Sequence, residues 1–135
     1  AQLKSFDKNI LERKKIFYGY YDTFINNQFN NFYFPEIQPK CETNFHAFWV
    51  MFLSSNECDF IRMKLLDNNI NAYIGYVPLH SSEVGKRMGF TENDLPLTQK
   101  YSEQILRLPF HNNMSSKDSK MIAKLIINLL TEYRK

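Results

Sequence analysis

The chain has 135 residues, 44% hydrophobic and 23% charged, a composition that excludes an intrinsically disordered protein. A net charge of +3 is too small to indicate binding to nucleic-acid phosphates. With only four glycines, the chain contains neither of the phosphate-binding motifs GxGxxG and GxxxxGK[ST]. The longest apolar run, 47–53, is too short to span a membrane. The length favours a single domain, residues 1–135.

The cysteines and histidines give no sign of a metal site. Cys41 and Cys58 are too few for a disulfide framework or a four-ligand zinc site, and they favour a reducing, cytoplasmic location. The histidines are His46, His80 and His111, and none shows metal-ligand spacing. Cys58 could act as a nucleophile with His46 or His80 as its base. A buried structural cysteine is the favoured interpretation, since free cysteines usually behave as small apolar residues.

The first element is predicted to be one long helix from Ser5 to Phe29. Apolar side chains recur in it at spacings of three and four, so one face should pack on the rest of the chain or on a domain outside these residues. The first members of this face are Phe6, Ile10 and Phe17. Gly19 costs about 1 kcal/mol relative to alanine and weakens the prediction of an unbroken helix. The asparagine-rich segment 26–31 ends the helix, because asparagine favours turns.

The middle of the chain is predicted to contain two strands and a helix. Thr43 to Leu53 is dense in aromatic and β-branched residues, which is typical of a strand. A helix follows, beginning near 54–56 and running to Leu66. Ile70 to Val77 is predicted to be the second strand, which Pro78 stops.

The last third is predicted to begin with a polar loop and to end with an amphipathic helix. The loop runs to Pro96, and Thr98 is expected to cap a short helix. Ile105 to Phe110 should be a third strand at a sheet edge, where Pro109 is tolerated. Ser115, with Asp118 three residues later, forms a capping pattern for the last helix. The alternation of elements predicts an α+β fold with a small, mainly antiparallel sheet of about three strands packed with helices.

Two segments invite both a functional and a structural interpretation. In 76–80, Tyr76 and His80 flank a rigid proline at a strand end, where side chains can be aimed at a ligand. The structural alternative, which the residue types favour equally, is that Tyr76 buries its ring and His80 caps the following loop. The aromatic run 32–34 could stack nucleobases, but core packing is favoured because the basic residues lie elsewhere. His46, in an apolar segment, is predicted to be a core histidine.

Three segments in order carry a resemblance to a known family. They are PKCETNFHAF at 39–48, YVPLH at 76–80 and ILRLP at 105–109, preceded by ERK at 12–14 and YY at 20–21. Together they resemble the C-terminal small domain of the PLP-dependent sugar aminotransferases of the DegT/DnrJ/StrS group. The pattern is most similar to the dTDP-4-amino-4,6-dideoxygalactose transaminases, which act in the biosynthesis of enterobacterial common antigen and related surface glycans such as lipopolysaccharide.

The resemblance implies a chain that is one part of an enzyme. In the family, pyridoxal phosphate and its Schiff-base lysine belong to a large domain that these 135 residues do not include. The chain alone is therefore expected to be inactive, with no catalytic, cofactor-binding or metal residue assigned. The full-length enzyme, a homodimer, would convert a 4-keto-6-deoxy sugar nucleotide and glutamate to the 4-amino sugar nucleotide and 2-oxoglutarate. The resemblance places Tyr76 and His80 on the loop that faces the nucleotide-sugar substrate, while His46 matches an architectural histidine.

One departure from the family pattern affects the substrate side. Many relatives have histidine immediately before the tyrosine of the 76–80 motif, whereas this sequence has Gly75. A side chain that could reach the substrate is therefore missing. This departure supports an alternative function, a catalytically inert binding or interaction module that retains the small-domain fold. No nucleic-acid or membrane partner is expected on either interpretation.

Overall fold

The computed structural model describes residues 6–27 and 32–135. The predicted first helix begins at Ser5 and ends at Phe29. Both residues, with the rest of 28–31, lie outside the described residues. The helices are α1 (Phe6–Asn26), α2 (Ser55–Asp67), α3 (Glu83–Arg87), α4 (Pro96–Gln104) and α5 (Ser116–Tyr133), with a 3-10 turn at Glu92–Asp94. The strands are β1 (Trp49–Met51), β2 (Tyr73–Ile74) and β3 (Ile105–Arg107).

The three strands form one antiparallel sheet in the order β1-β3-β2. The α+β prediction with a small antiparallel sheet is confirmed. The placement of the third strand at a sheet edge is wrong, because β3 pairs on both sides. Pro109 is compatible with this central position because it lies two residues beyond β3, where its missing N–H removes no bond between the described strands. The arrangement puts Arg107 directly opposite both Trp49 and Tyr73.

The strands are much shorter than the sequence predicts. Before β1, Phe45 has a φ of 49°, outside the extended region. There the side chain of Thr43 accepts a hydrogen bond from the Phe45 N–H, and Asn44 accepts one from the His46 N–H. Such local bonds compete with strand pairing. β3 begins immediately after α4 and has three residues, all of which pair with β1, so its length limits the β1–β3 ladder.

The segment predicted as a polar loop contains helix α3. Its N-cap is Ser82, whose hydroxyl accepts a hydrogen bond from the Gly85 N–H at 3.1 Å. The next helix, α4, begins at Pro96, not after Thr98 as predicted. Proline suits the first helical position because its φ is already helical and the N–H it lacks would have no partner there.

The core lies between α1, α5 and the inner face of the sheet. The buried face of α1 is made by Ile16, Phe17, Tyr20 and Phe24. Packing of Phe17 is confirmed and Ile10 is partly buried, but Phe6 is exposed. The prediction that aromatic residues 32–34 serve the core holds for residues 32 and 34, while residue 33 is exposed. Among the described residues, no helix is long and apolar enough to cross a membrane.

Helix α5 begins with the predicted capping box. The Ser115 Oγ accepts a hydrogen bond from the Asp118 N–H at 3.2 Å, and the Asp118 carboxylate accepts one from the Ser115 N–H at 2.8 Å. Hydrogen bonds from the Ser115 N–H and hydroxyl hold the pKa of Asp118 below its ordinary value of 3.8. The carboxylate therefore favours the folded state whenever it is charged.

We expect this cap to contribute an acid-sensitive part of the stability. Because the pKa of Asp118 is lower in the folded chain, its contribution is complete above about pH 4 and is lost as the pH falls through the folded pKa. Urea unfolding between pH 7 and pH 2.5 should show a smaller decline for Asp118→Asn than for the wild type. Asp22→Asn, at an exposed position of α1, should keep the wild-type decline. Equal pH profiles for Asp118→Asn and the wild type would contradict this.

Candidate functional site

An open cleft of about 810 Å³ lies between β2, the end of β3 and the first turns of α5. We call it the β2–α5 cleft. Its polar and aromatic lining residues are His46, Asn69, Asn71, Tyr73, Tyr76, Arg107, Phe110, His111 and Asp118. Its volume lies within the range of small-molecule and cofactor sites.

One wall of the cleft is fixed to α1 through Arg13. The Arg13 Nε donates to the side chain of Asn112 at 2.9 Å, and Nη1 donates to the backbone oxygen of His46 at 3.3 Å. The guanidinium carbon also lies 5.8 Å from the ring centroid of Phe110. A single side chain of the long helix thus joins the segment before β1 to the segment after β3.

The opposite side of the cleft carries a pair formed by Arg107 and Tyr76. The Arg107 Nη1 donates a hydrogen bond to the Tyr76 hydroxyl at 3.1 Å, and the guanidinium carbon lies 5.6 Å from the centroid of the Tyr76 ring. Tyr76 is 81% exposed, so this arginine is its main support. The pair presents a phenol and a guanidinium together at the cleft, a combination suited to hydroxyl and oxyanion groups of a ligand.

His46 is exposed and lines the β2–α5 cleft, so its prediction as a core histidine is wrong. The physical reason is the turn at Phe45, which lies outside any strand and removes the alternation that would have pointed residue 46 inwards. His111 lines the same cleft from the segment after β3. The structure therefore brings together two histidines that lie 65 positions apart in the sequence.

His80 lies in a different place. It is only 5% exposed and lines a separate apolar groove of about 520 Å³, together with Leu79, Met88, Phe90 and Leu95. Within the described part of the chain, its buried Nε2 has no hydrogen-bond partner. Tyr76 and His80 therefore do not share this groove, although both belong to the predicted 76–80 site.

The position of His80 depends on close packing by Gly85. A Cβ added at Gly85 would overlap the backbone oxygens of Leu79 and His80, so α3 lies directly on the turn that holds the imidazole. Gly75, the residue before Tyr76, is not closely packed, because a Cβ there would meet nothing within 4 Å. The departure noted in the sequence therefore leaves open space beside Tyr76.

Cys58 is fully buried, as its structural interpretation predicts. Burial raises the pKa of its thiol to about 12, so the thiolate needed by a nucleophile is disfavoured. Cys41 is exposed and free. In the ranges 6–27 and 32–135, no three His, Cys, Asp or Glu residues are grouped as metal ligands.

The β2–α5 cleft does not by itself fit pyridoxal phosphate. No lysine lines it, so none of its side chains could form the Schiff base that the cofactor requires. Its one carboxylate, Asp118, is engaged by the cap of α5. What the cleft offers is a ligand-contacting surface of tyrosine, arginine and imidazole groups.

Comparison with known proteins identifies the family to which this chain belongs. The model of the DegT/DnrJ/EryC1/StrS aminotransferase family matches residues 1–127. The chain belongs to this family. Similar solved structures include the sugar aminotransferase Spr1654 of Streptococcus pneumoniae in its PLP form, with a TM-score of 0.86 and 20% identity, covering 97% of this chain and 33% of that one. The aminotransferase TlmJ from Streptoalloteichus hindustanus has a TM-score of 0.82 and 20% identity, and the match covers 98% of this chain and 34% of that one.

Helicobacter pylori PseC, an aminotransferase involved in the biosynthesis of pseudaminic acid, gives a TM-score of 0.76 and 20% identity, covering 97% of this chain and 35% of that one. At such identities the likeness shows the shared fold. The chain spans about a third of the length of these proteins. The family predicted from the three motifs is confirmed.

Sequence reasoning missed Arg107 as a member of the site. It lies within the quoted motif ILRLP but was not singled out. The available signal was one charged residue in an otherwise apolar strand. Its hydrogen-bond partner, Tyr76, could be assigned to it only after the strand register was known.

Proposed function

We propose that this chain is the small, C-terminal domain of a PLP-dependent aminotransferase that acts on a sugar nucleotide. The observation that carries the proposal is the family match over residues 1–127, in a chain one third as long as its structural relatives. The large domain with pyridoxal phosphate would be supplied by a longer polypeptide, which would work as a homodimer in the cytoplasm. Its product would enter surface polysaccharide biosynthesis, with enterobacterial common antigen and lipopolysaccharide as the proposed destinations.

The proposed reaction exchanges the 4-keto group of a 4-keto-6-deoxy sugar nucleotide for an amine, with glutamate as amino donor. Pyridoxal phosphate supplies the electron-sink chemistry of transamination when bound. The residues of this chain would bind and orient the substrate. A dTDP-linked 4-amino-4,6-dideoxygalactose is the proposed product, on the sequence motifs alone.

Within this proposal, Tyr76 and His80 are the substrate-binding residues. The Tyr76 hydroxyl is exposed and held by Arg107, so it can bond to a sugar hydroxyl or phosphate oxygen. The His80 Nε2 is a buried polar atom with no bond among the described residues, and a ligand in its groove would satisfy it. The two residues would contact the ligand from two sides of the 77–79 turn.

The kinetic test uses the longer polypeptide that contains the large domain. Tyr76→Phe and His80→Ala should each lower kcat/KM for the sugar nucleotide by about tenfold or more, the effect of losing a hydrogen bond to a charged ligand. The glutamate half-reaction, followed by single-turnover spectroscopy, should change far less. Tyr101→Phe, at an exposed tyrosine of α4, is the control and should leave both unchanged. Unchanged sugar-nucleotide kinetics in correctly folded Tyr76 and His80 variants would contradict the assignment.

A second candidate function is an inert binding or interaction module. The open space at Gly75 favours it, because a side chain common among relatives is missing there. The two functions are separated by assaying the longer polypeptide with glutamate and a 4-keto sugar nucleotide. Turnover by the longer polypeptide, together with no turnover by the 135-residue chain supplied with pyridoxal phosphate, would support the aminotransferase function. If the longer polypeptide shows no turnover and Gly75→His restores turnover, the result would support a module that lost its activity at this position.

A further inference from the structure

Arg107 is a cation whose described hydrogen bond and ring contact both go to the neutral side chain of Tyr76. It is half-buried on the central strand, yet no acidic side chain of the described residues forms an ion pair with it. Of its five N–H donors, one is used in a described hydrogen bond, the bond to Tyr76. A partly desolvated guanidinium normally has an anionic partner. Arg107 lines the β2–α5 cleft.

The strand register adds aromatic side chains beside this cation. Arg107 is directly opposite Trp49 on β1 and Tyr73 on β2, so these three side chains share one face of the sheet. The next residue along β3, Leu106, is fully buried on the other face. Arg107 thus shares a sheet face with two aromatic residues, and its guanidinium carbon lies 5.6 Å from the centroid of the Tyr76 ring. Such a group on a rigid strand is suited to a ligand that combines an oxyanion with a planar or sugar ring.

The other ionisable groups at the cleft are compatible with an anion. His46 and His111 line the cleft with imidazole rings, whose N–H groups can donate hydrogen bonds to an anion. The opposing charge is Asp118, whose carboxylate is held by the N–H and hydroxyl of Ser115 at the start of α5. An incoming phosphate would approach Arg107 from the open side, beside Tyr73 and Tyr76.

We propose that Arg107 is an anion-binding residue of the β2–α5 cleft and that it takes the diphosphate of a nucleotide ligand, with Tyr73 and Tyr76 beside it. This inference deepens the proposed function and rests on it for the choice of a nucleotide. Arg107 thereby acts as a specificity residue for the phosphorylated part of the substrate. Its bond to Tyr76 couples phosphate binding to the position of the phenol that is proposed to contact the sugar.

The experiment titrates the 135-residue chain with dTDP and follows the Arg107 Nε–H and the tyrosine rings by NMR. Thymidine, orthophosphate, glutamate and pyridoxal phosphate are separate arms that distinguish nucleoside, simple anion, carboxylate donor and cofactor phosphate. The variants are Arg107→Gln, Arg107→Lys and the control Arg87→Gln. Arg87 is an exposed arginine paired with Glu83 on α3, so its substitution changes the net charge equally.

We expect dTDP to shift the Arg107 and tyrosine signals at low salt and thymidine to leave the Arg107 signal unmoved. Arg107→Gln should weaken dTDP binding at least about tenfold, Arg107→Lys by less, and Arg87→Gln by no more than about twofold. Equal losses in Arg107→Gln and Arg87→Gln, or wild-type binding by Arg107→Gln, would overturn the assignment. So would glutamate, pyridoxal phosphate or orthophosphate binding at Arg107 as tightly as dTDP.

The result of the dTDP titration and the result of the transamination assay can be distinguished. If dTDP binding depends on Arg107 but the longer polypeptide shows no transamination, the nucleotide site stands and the enzyme proposal fails. If transamination occurs and dTDP binding is indifferent to Arg107, the enzyme proposal stands and this inference fails.

Discussion

Replacing Glu57 by alanine is expected to destabilise the protein by about 3 kcal/mol, the cost of breaking a buried ion pair from one side. Glu57 is 3% exposed at the start of α2. Its carboxylate accepts hydrogen bonds from the Arg134 Nε at 2.6 Å and from the Leu53 N–H at 3.2 Å. It thereby joins the end of β1, the start of α2 and the end of α5. Its removal leaves the Leu53 N–H without its acceptor and deprives Arg134 of this carboxylate.

Urea unfolding at pH 7 measures the loss for Glu57→Ala. The matched control is Asp59→Ala, which removes an acid of the same helix from an exposed pair with Arg62 at 3.4 Å. Exposed pairs contribute little, so the control should change stability by less than about 1 kcal/mol. A double-mutant cycle with Arg134→Ala should show favourable coupling. Similar losses in the Glu57 and Asp59 variants would contradict the role given to this buried pair.

Replacing Gly19 by alanine is expected to destabilise the protein by about 2 kcal/mol, although alanine favours helix by about 1 kcal/mol. The reason is the close approach of α1 and α5. A Cβ at residue 19 would overlap the Ser119 hydroxyl and would lie 2.9 Å from the backbone oxygen of Ser116. The helices would have to move apart, which would loosen the core around Phe17 and Tyr20.

Thermal and urea unfolding measure this effect, with Gly75→Ala as the control. A Cβ at Gly75 meets open space, so that substitution should change stability by less than about 0.5 kcal/mol. The double variant Gly19→Ala with Ser119→Ala should lose less than the sum of the single changes, because removing the hydroxyl relieves part of the overlap. A stabilised Gly19→Ala protein would mean that helix propensity outweighs packing at this crossing.

The order and type of most elements followed from the sequence, because each has a local physical signal. The 3.6-residue apolar period identified α1 and α5. The Ser115 and Asp118 pair fixed the start of α5, since a capping box is made entirely by neighbouring residues. The three motifs likewise identified the family, whose model matches residues 1–127.

The limits of the strands could not be obtained in this way. Thr43 to Leu53 has strand composition throughout, but only Trp49–Met51 pairs, because the available partner, β3, is three residues long. A strand exists only as far as another strand bonds to it, and that length depends on residues more than 50 positions away. The exposure of His46 follows from the turn at Phe45, which lies before the paired part of this segment.

The sequence by itself determined the fold class, helices α1, α2 and α5 and the family, through local periodicity, capping or short motifs. It also favoured the burial of Cys58, because free cysteines usually behave as small apolar residues. Only the tertiary structure decided which residues of the candidate site face one another. It placed Arg107 against Tyr76, 31 positions away, and separated His80 into its own apolar groove. The physical reason is that such contacts depend on strand register and helix crossing, which arise from the packing of the whole chain.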